Sequence, residues 1–557
     1  MELVVPNASL SVVAASALVT HLWFKKREPT SFTPLFLGLV VVPGLTVVPK
    51  LNRSTLTDAF VTYTSFYVLL LMSIVTYRLS PLHPLAGYPG PRIARITKFW
   101  GVWKTIDGKL PQYYRELHAQ YGSIVRIGPN ELSVVDKDLL PQILGTQGMP
   151  RGPLWEGRRV TPTNKSKRDY NVILQRDSAR HLQLRRPWNK AFSNEPLLDY
   201  GESVVKKAAE FVEILERKCL ETGEGRVGLD MAKWIDWFSF DFMGELVFGK
   251  GFDILQTEDK DHFQENMQKG LTLPAYTQHI PWSTPVLRRL PFTGDSMRVF
   301  GNFAVERAMQ RASQDVKRKD LFYHLVNNAL DEETSPMPFI VSNAVLAIVG
   351  GSDTTASALS GAIYYLLSNP AYIKLLRKEL ETAFPPLKDG TLPLELEKLG
   401  EVALLDAIIN ETLRLQPPIP TGLQRAPERN SGGRLVGTHF IHEDTAILVP
   451  PYVLHRDPRY FWPKPDTFWP ERWIEYKNNS DIVLETSVFV PFSSGPANCA
   501  GKRLAMLELR FVLASLVSRF DMRFAPGWDV GKWEECLLDR FMLAKGELMA
   551  ELSPRAI

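Results

Sequence analysis

The feature that most constrains this chain is a glycine-rich loop, Phe492-Ser-Ser-Gly-Pro-Ala-Asn-Cys-Ala-Gly501, which carries one cysteine. It runs directly into an amphipathic stretch that predicts a helix over Lys502–Phe520. Glycines on both sides of Cys499 predict a tight loop whose backbone amides point at the sulfur. A thiol beside a helix N-terminus is favoured as a thiolate. The loop therefore suits a thiolate metal ligand, and a buried free cysteine is the alternative on this residue alone.

The spacing of four residues in this loop identifies a family. Phe492, Gly495, Cys499 and Gly501 form the pattern Phe-x-x-Gly-x-x-x-Cys-x-Gly, which resembles the haem-binding loop of the cytochrome P-450 monooxygenases. The resemblance implies a haem b cofactor, with Cys499 as the axial thiolate ligand of its iron and the other three residues in the cofactor pocket. In the family an arginine that pairs with a haem propionate usually stands two residues before the cysteine. Here that residue is Ala497, so other cations must meet the propionate charge.

Length and charge exclude several classes of protein. A chain of 557 residues with 45% hydrophobic content can bury a large core, and a formal net charge of +4 is too small to predict nucleic-acid binding. The three cysteines, Cys219, Cys499 and Cys536, are too few and too scattered for a disulfide framework. The folded part is therefore expected in a reducing compartment, on the cytosolic side of a membrane.

Residues 1–80 predict a membrane anchor. They contain three apolar runs near the lower length limit for crossing a bilayer, Ala8–Phe24, Phe32–Val48 and Ala59–Tyr77. We expect between one and three transmembrane segments, because prolines in the second run and His21 in the first are compatible with re-entrant or interfacial segments.

The charges around these runs predict the orientation of the anchor. Lys25-Lys26-Arg27 and Arg78 should be cytoplasmic by the positive-inside rule. The N-terminus then faces the lumen of the endoplasmic reticulum, and Asn7 and Asn52 become candidate glycosylation sites.

The rest of the chain predicts a hinge followed by one catalytic domain. Residues 81–92 contain Tyr88-Pro-Gly-Pro91, a stiff non-helical joint that resembles the proline-rich hinge of the family. Residues 93–557 are mainly helical in pattern, with the short strand-like runs Ser123–Ile127, Leu132–Val135 and Ala446–Val449. We therefore predict a mainly α fold with a minor β-sheet region.

Three basic residues are candidates for binding the haem propionates. His181 and Arg185 lie one turn apart on a basic helical stretch and project together. In the family this helix offers a Trp-x-x-x-Arg pair to a propionate, and His181 and Arg185 occupy those positions. Arg425 stands where many membrane-bound members place a further propionate-binding arginine. The alternative for the helical pair is an ordinary solvated basic face.

A long apolar helix predicted over Phe339–Leu367, with Pro338 in its first turn, contains the motif Gly350-Gly-Ser-Asp-Thr-Thr355. Paired glycines cost a helix about 1 kcal/mol each, which suggests a function. The motif resembles the oxygen-activating motif of the family, which implies a local widening of the helix and proton delivery by Asp353 and Thr354. A packing notch against a neighbouring helix is the alternative.

Two further motifs resemble scaffold signatures of the family. Glu411-Thr-Leu-Arg414 places a carboxylate and a guanidinium on one side of a helix predicted over Ala403–Leu415. The segment Pro470-Glu-Arg472-Trp473 is implied to add a second arginine to this buried set. With the glycine-rich motif and the cysteine loop, these signatures follow one another in the family's order.

The resemblance implies a haem-thiolate monooxygenase that inserts one atom of dioxygen into a lipophilic substrate, with electrons from a separate NADPH–cytochrome P-450 reductase. Exposed Lys502, Arg503, Arg186 and Lys190 would form the reductase docking face, or an ordinary solvated surface. The alternatives are a haem-thiolate isomerase or dehydratase, and a haem-binding sensor without turnover. The intact Asp353-Thr354 pair favours the monooxygenase.

Four poorly constrained segments are expected to build the substrate pocket, namely Gly152–Asn171, Leu271–Pro285, the helix before Gly350, and Pro418–Leu423. They are largely apolar and aromatic, with Trp155, Phe339 and Leu423 among them. A terpenoid, fatty acid, steroid or aromatic substrate follows. The anchor and the arginine-free cysteine loop resemble fungal members that serve secondary metabolism or xenobiotic oxidation.

Overall fold

The protein is described from a computed structural model. The structure describes residues 7–26, 31–47, 56–158, 171–287, 289–290, 295–313, 319–327, 336–388 and 391–555. Arg27 and Asn52 therefore lie outside the described residues.

Four helices form the N-terminal region: α1 (Asn7–Lys26), α2 (Phe32–Phe36), α3 (Val42–Val47) and α4 (Leu56–Leu79). A π-helical segment, Leu37–Val41, joins α2 to α3. Helix α1 packs against α4 through Val13, Ala17, Phe66 and Leu70. Helix α4 is long and apolar enough to cross a membrane, whereas the apolar helical run Phe32–Val47 is shorter.

The remaining helices belong to the body that follows this N-terminal region. They are α5 (Arg92–Ile96), α6 (Phe99–Ile106), α7 (Leu110–Tyr121), α8 (Leu140–Ile143), α9 (Leu154–Gly157), α10 (Ser178–Ala191), α11 (Asn194–Glu221), α12 (Met231–Phe248), α13 (Ile254–Thr257), α14 (Phe263–Thr277), α15 (Thr284–Leu287), α16 (Asp295–Ala312), α17 (Leu321–Asn327), α18 (Pro336–Ser368), α19 (Pro370–Ala383), α20 (Ala403–Leu415), α21 (Pro451–Leu454), α22 (Arg472–Glu475), α23 (Lys502–Arg519) and α24 (Lys532–Cys536).

The strands are short and lie in small sheets. They are β1 (Ile124–Gly128), β2 (Glu131–Val134), β3 (Val227–Asp230), β4 (Leu423–Arg425), β5 (Gly433–Val436), β6 (His439–His442), β7 (Ala446–Val449), β8 (Phe461–Trp462), β9 (Val483–Leu484), β10 (Phe520–Phe524), β11 (Leu538–Arg540), β12 (Met542–Ala544) and β13 (Met549–Pro554). One sheet has the order β1-β2-β7-β4, with β2 and β7 parallel, and another has the order β10-β13-β3. The prediction of a mainly α fold with a minor sheet is confirmed.

Two helices at the centre of the body position the site. Asp230 caps the N-terminus of α12, because its side chain accepts hydrogen bonds from the amides of Ala232 and Lys233, and Gly249 in the left-handed conformation caps the C-terminus. Nearly all of α12 is buried, and it packs along α18. Part of α18, Phe339–Ser368, is apolar enough to cross a membrane but is half buried within the body. It is therefore a core helix.

The segment between α4 and β1 is held by one buried arginine. The Arg126 guanidinium donates hydrogen bonds to the carbonyl oxygens of Arg78 (3.3 Å), Leu85 (3.3 Å) and Pro129 (2.9 Å). Its backbone amide donates to the carbonyl of Pro89 at 2.7 Å. This arrangement gives the predicted hinge a fixed geometry, because one side chain joins the end of α4 to the first sheet.

Candidate active site

The cysteine loop has the geometry that its glycines predict. The amide of Cys499 donates to the carbonyl of Phe492 at 2.9 Å. Gly495 has φ +66°, and a Cβ there would lie 2.1 Å from the carbonyl oxygen of Gly145, so a side chain has no room. Burial raises the pKa of Cys499, and hydrogen bonds from the amides of Gly501 and the next residue oppose this increase. The amides therefore point at the sulfur immediately before α23 begins.

Two of the predicted basic residues meet at this loop. Arg185 of α10 donates to the backbone carbonyl of Asn498 at 2.7 Å and to its side-chain oxygen at 2.8 Å. Arg425 of β4 donates to the hydroxyl of Ser493 at 3.2 Å. His181 is buried beside them, and its Nε2 atom has no hydrogen-bond partner. The basic face of α10 at His181 and Arg185 is thus buried, which overturns the alternative of a solvated surface for these two residues.

A fourth basic residue, Arg151, was not predicted from the sequence. It pairs with Arg425 through a backbone β-bridge, and its guanidinium lies 3.5 Å from the carbonyl oxygen of Ala497, the position where the family usually has arginine. Its Nε atom is buried without a partner. The only local signal was its place in the apolar segment before Trp155, and that signal does not distinguish a propionate ligand from a surface arginine.

These four residues form a cationic cluster, defined as Arg151, His181, Arg185 and Arg425. Burial, followed by repulsion from Arg425 and Arg185, holds the pKa of Arg151 well below its usual range. Burial and the three arginines lower the pKa of His181 to about 4. Within the described residues, no ion pair joins the cluster to a carboxylate. A cofactor with two carboxylates beside Cys499 would supply the counter-charges, so these residues fit a haem.

The two glycines of the α18 motif have different surroundings, and each supports a different interpretation of the motif. A Cβ on Gly351 would lie 2.5 Å from the sulfur of Met243 on α12, so this glycine is a packing notch. A Cβ on Gly350 would meet no atom within 4 Å. The hydroxyl of Thr354 donates to the carbonyl of Gly350 at 2.6 Å. The backbone is assigned as α-helical along α18, and the missing side chain of Gly350 leaves space beside it; the local widening stays a prediction.

Asp353 is half-buried on the same helix. Burial raises the pKa of its carboxyl to about 6, Lys545 opposes this increase, and Asp236 adds to it. A carboxyl with this pKa exchanges a proton readily near neutral pH.

An apolar cluster next to Gly350 is the candidate substrate pocket. Its members are Leu154, Trp155, Phe541 and Met542, with Ile173, Leu174, Leu271, Val349 and Ile419 packed against them. The rings of Trp155 and Phe541 meet edge to face with centroids 5.0 Å apart. All four predicted segments contribute, but Leu423 packs in the core beside the first sheet and Phe339 in the main core. The sequence analysis missed Phe541, which lies on a left-handed turn of the β11–β12 hairpin.

The scaffold residues form one closed ion cluster. Arg414 donates to Glu411 through Nε and Nη2, both at 2.8 Å, and Arg472 donates through Nε at 3.1 Å. Burial would raise the pKa of Glu411, but the two guanidiniums hold it below its usual value. All three side chains are fully buried. The arrangement is the one expected from the two signatures.

Comparisons with known proteins agree with this geometry. The family model described as Cytochrome P450 matches residues 89–548. "Cytochrome P450 monooxygenase orf5" of Eupenicillium brefeldianum is 33% identical, over 89% of this chain and 97% of that protein. "Cytochrome P450 67" of Uromyces fabae is 30% identical over 96% of each chain. "Tryprostatin B 6-hydroxylase" of Neosartorya fischeri is 28% identical over 98% of each. This chain therefore belongs to the cytochrome P450 family and is an oxidoreductase of that type.

Proposed function

We propose that the protein is a membrane-anchored haem-thiolate monooxygenase that oxidises a lipophilic substrate. The observation that carries this proposal is the cationic cluster, in which four buried basic groups surround the Cys499 loop without a carboxylate partner within the described residues. Buried cations without partners are costly, and two haem propionates would neutralise them. Membership of the family supports the same cofactor.

Each residue then has a defined role. Cys499 would ligate the iron of the cofactor through its sulfur, and Phe492, Gly495 and Gly501 would shape the loop around it. The cationic cluster would hold the propionates, with Arg151 replacing the arginine that the family usually has at the position of Ala497. When bound, haem with a thiolate ligand supplies the activation of dioxygen.

Proton supply and substrate binding are assigned to the other side of the site. Gly350 leaves room beside α18, and Thr354 and Asp353 hold and deliver protons to the oxygen site. The apolar cluster around Trp155 and Phe541 excludes water and orients the substrate. The proton-donating pair favours a monooxygenase over an isomerase, a dehydratase or a sensor, because none of these needs a proton relay.

The substrate class is inferred from the pocket and from relatives. The apolar cluster of aromatic and aliphatic side chains supports a terpenoid, fatty acid, steroid or aromatic substrate. A relative named for the 6-hydroxylation of tryprostatin B supports a role in fungal secondary metabolism, with xenobiotic oxidation as the other possibility.

Anchoring and electron supply complete the proposal. Helix α4, together with exposed Phe99, Trp103 and Ile106 on α6, supports attachment to the endoplasmic reticulum membrane with residues 93–557 in the cytosol. Residues 1–80 then form the anchor, with up to three spans and luminal Asn7 and Asn52 open to glycosylation, and residues 81–92 form the hinge. NADPH–cytochrome P-450 reductase would dock on the exposed basic residues Arg186, Lys190, Lys502 and Arg503.

The first test is the carbon monoxide difference spectrum of reduced membranes that contain the full chain. A Soret band shifted far to the red is expected, and Cys499→Ala should abolish it. Cys536→Ala is the matched control, because it removes another free cysteine outside the loop and should leave the band unchanged. A haem-loaded, folded chain without the shifted band would contradict thiolate ligation. Product formation from dioxygen, NADPH and reductase would then test turnover.

A further inference from the structure

A buried hydrogen-bond donor without a partner lies in the apolar cluster. The side chain of Trp155 is only 4% exposed, and its Nε1 atom has no hydrogen-bond partner among the described residues. The side chains of Leu154, Phe541 and Met542, the other members of the cluster, offer no oxygen acceptor. A buried N–H without an acceptor is costly, because it has lost its hydrogen bonds to water. The indole therefore points to an acceptor that a bound molecule supplies.

A guanidinium lies against the same cluster, one helical turn after Trp155. Arg158 directly follows α9, and its Cζ atom lies 4.0 Å from the ring centre of Phe541. The ring centre of Trp155 lies 5.0 Å from that of Phe541. Positions i and i+3 of a helical turn lie on the same side of the helix. Phe541 therefore contacts both a neutral donor and a cationic donor.

The charge of Arg158 has no carboxylate in an ion pair with it within the described ranges of the chain. Its Nη1 atom donates to the side-chain oxygen of Gln278 at 3.1 Å, which is a neutral contact. Glu156, close by in sequence, is already paired with two other arginines. Burial lowers the pKa of the half-buried Arg158 to about 10, and Asp539 opposes this decrease without pairing with it. A guanidinium in these surroundings suits an anionic ligand.

The main chain next to Arg158 is held against the end of α14. The hydroxyl of Thr277 donates to the carbonyl of Gly157 at 2.6 Å. A Cβ on Gly157 would lie 2.3 Å from the carbonyl oxygen of Thr277, so a side chain has no room there. Gln278, which accepts from the guanidinium, is the next residue of the chain. The position of Arg158 is therefore defined before a ligand binds, which lowers the entropic cost of binding.

We propose that Arg158 and Trp155 bind a carboxylate of the substrate, so that the substrate is a lipophilic carboxylic acid. This inference rests on the proposed monooxygenase function and narrows its substrate class to molecules with an acid group. The guanidinium and the indole N–H donate hydrogen bonds to the carboxylate oxygens. Val349, which precedes Gly350 on α18, packs against the same cluster. The apolar part of the substrate therefore lies beside the oxygen site.

The first test is a spectral titration of the full haem-loaded chain in lipid nanodiscs, without reductase. The ligands are dodecanoic acid, abietic acid, lithocholic acid and naphthylacetic acid, each beside its methyl ester, and binding is followed by the shift of the Soret band. Arg158→Met should weaken the binding of at least one acid by roughly 10- to 150-fold and that of its ester by less than roughly 2-fold. Partitioning of a ligand into the bilayer is the same for every variant and cancels in this comparison.

The matched control removes a different arginine from the same region. Arg429→Met takes away an exposed guanidinium that pairs with Glu156, so acid binding should stay unchanged. Arg158→Lys keeps the positive charge and should retain part of the affinity for the acid. If Arg158→Met does not fold, Arg158→Gln replaces it, because glutamine also lacks the charge, and the same loss is expected.

The second test concerns the indole N–H. Trp155→Phe keeps an aromatic ring beside Phe541 and removes the donor, so the binding of the acid should weaken by roughly 10-fold. The guanidinium of Arg151, in the cationic cluster, lies 5.1 Å from the ring centre of Trp155, so haem transfer to apomyoglobin is measured in parallel. Faster haem transfer with unchanged acid binding would assign the N–H to the haem and overturn its role toward the substrate.

Two results would overturn the inference as a whole. One is that every acid gives the same titration with the unmodified chain and with Arg158→Met. The other is an equal loss of binding for the acid and its methyl ester, which would indicate damaged packing. In both cases an intact carbon monoxide spectrum would leave the monooxygenase proposal standing. Absence of the shifted Soret band in the unmodified chain would overturn that proposal and, with it, this inference.

Discussion

Replacing Arg151 with methionine should affect haem binding and the stability of the haem-free chain in opposite directions. The guanidinium is buried 3.5 Å from the carbonyl of Ala497 and lies 5.1 Å from the ring centre of Trp155. Methionine has a similar length and keeps a favourable contact between sulfur and the ring. The substitution therefore removes a charge and leaves most of the packing.

The expected magnitude follows from the partners of Arg151. A hydrogen bond to a charged group contributes about 1.5–3 kcal/mol, so loss of the propionate contact should speed haem dissociation by roughly 10- to 150-fold. Without haem, Arg151 is repelled by Arg425 and Arg185 and is poorly solvated. Its removal should therefore raise the free energy of unfolding of the haem-free chain.

The assay is the rate of haem transfer to excess apomyoglobin, followed in the Soret band, with urea unfolding of the haem-free chain in parallel. Arg434→Met is the control, because Arg434 donates to the carbonyl of Gly148 near the same loop but lies outside the cationic cluster. Adding Ala497→Arg to the Arg151 variant restores the arginine that the family usually has and should recover most of the retention. Unchanged haem transfer in Arg151→Met, or a less stable haem-free chain, would refute the assignment.

Four further substitutions test the scaffold, α23 and α18. Arg472→Leu leaves Glu411 with one guanidinium and should lower the free energy of unfolding by about 3–5 kcal/mol in urea titration; a change below about 1 kcal/mol would contradict the closed cluster. Burial raises the pKa of Glu508 to about 8, above the ordinary 4.5. The folded state therefore holds this proton more tightly, and stability should fall by about 1.4 kcal/mol per pH unit from pH 4.5 to 8. Glu508→Gln should remove this contribution to the pH dependence of stability. Curves of stability against pH that have the same slope in the variant and in the unmodified chain would contradict the prediction. Gly351→Ala should destabilise by about 1–3 kcal/mol because of the methionine that it faces. Gly350→Ala should stabilise by about 1 kcal/mol, and equal shifts in melting temperature would contradict the division of roles between the two glycines.

Much of the local structure could be predicted from the sequence. The helix Ala403–Leu415 and the strand Ala446–Val449 have the predicted ends, and the helix after the cysteine loop ends one residue earlier than predicted, at Arg519. These segments have a clear apolar period and are bounded by breaks in that period, so local pattern suffices. The long core helix begins at Pro336, two residues before the predicted Pro338, because either proline is compatible with a first helical turn.

The site could be predicted only where a motif carries it. Cys499, Glu411 and Asp353 stand in recognisable spacings, whereas Arg151 and Phe541 reach the site from segments without a motif. The contact between Arg151 and Ala497 joins residues 346 positions apart, and such a contact depends on the folding of the whole chain. The ion pair of Asp236 with Lys545 spans 309 positions and is hidden for the same reason.

The ion cluster of Glu411 and the cationic cluster differ in whether their positive charges are paired within the folded chain. In the first, the carboxylate of Glu411 meets Arg414 and Arg472, so the positive charges have a partner as soon as the chain is folded. The cationic cluster around Arg151 and Arg425 has no carboxylate partner within the described residues, and its arginines repel one another. Because buried like charges are costly, the second cluster lowers the stability of the folded chain. A bound partner with two negative charges would restore that stability. Under the proposed function, charge that folding leaves unpaired would contribute to haem affinity and would compensate for the alanine at position 497.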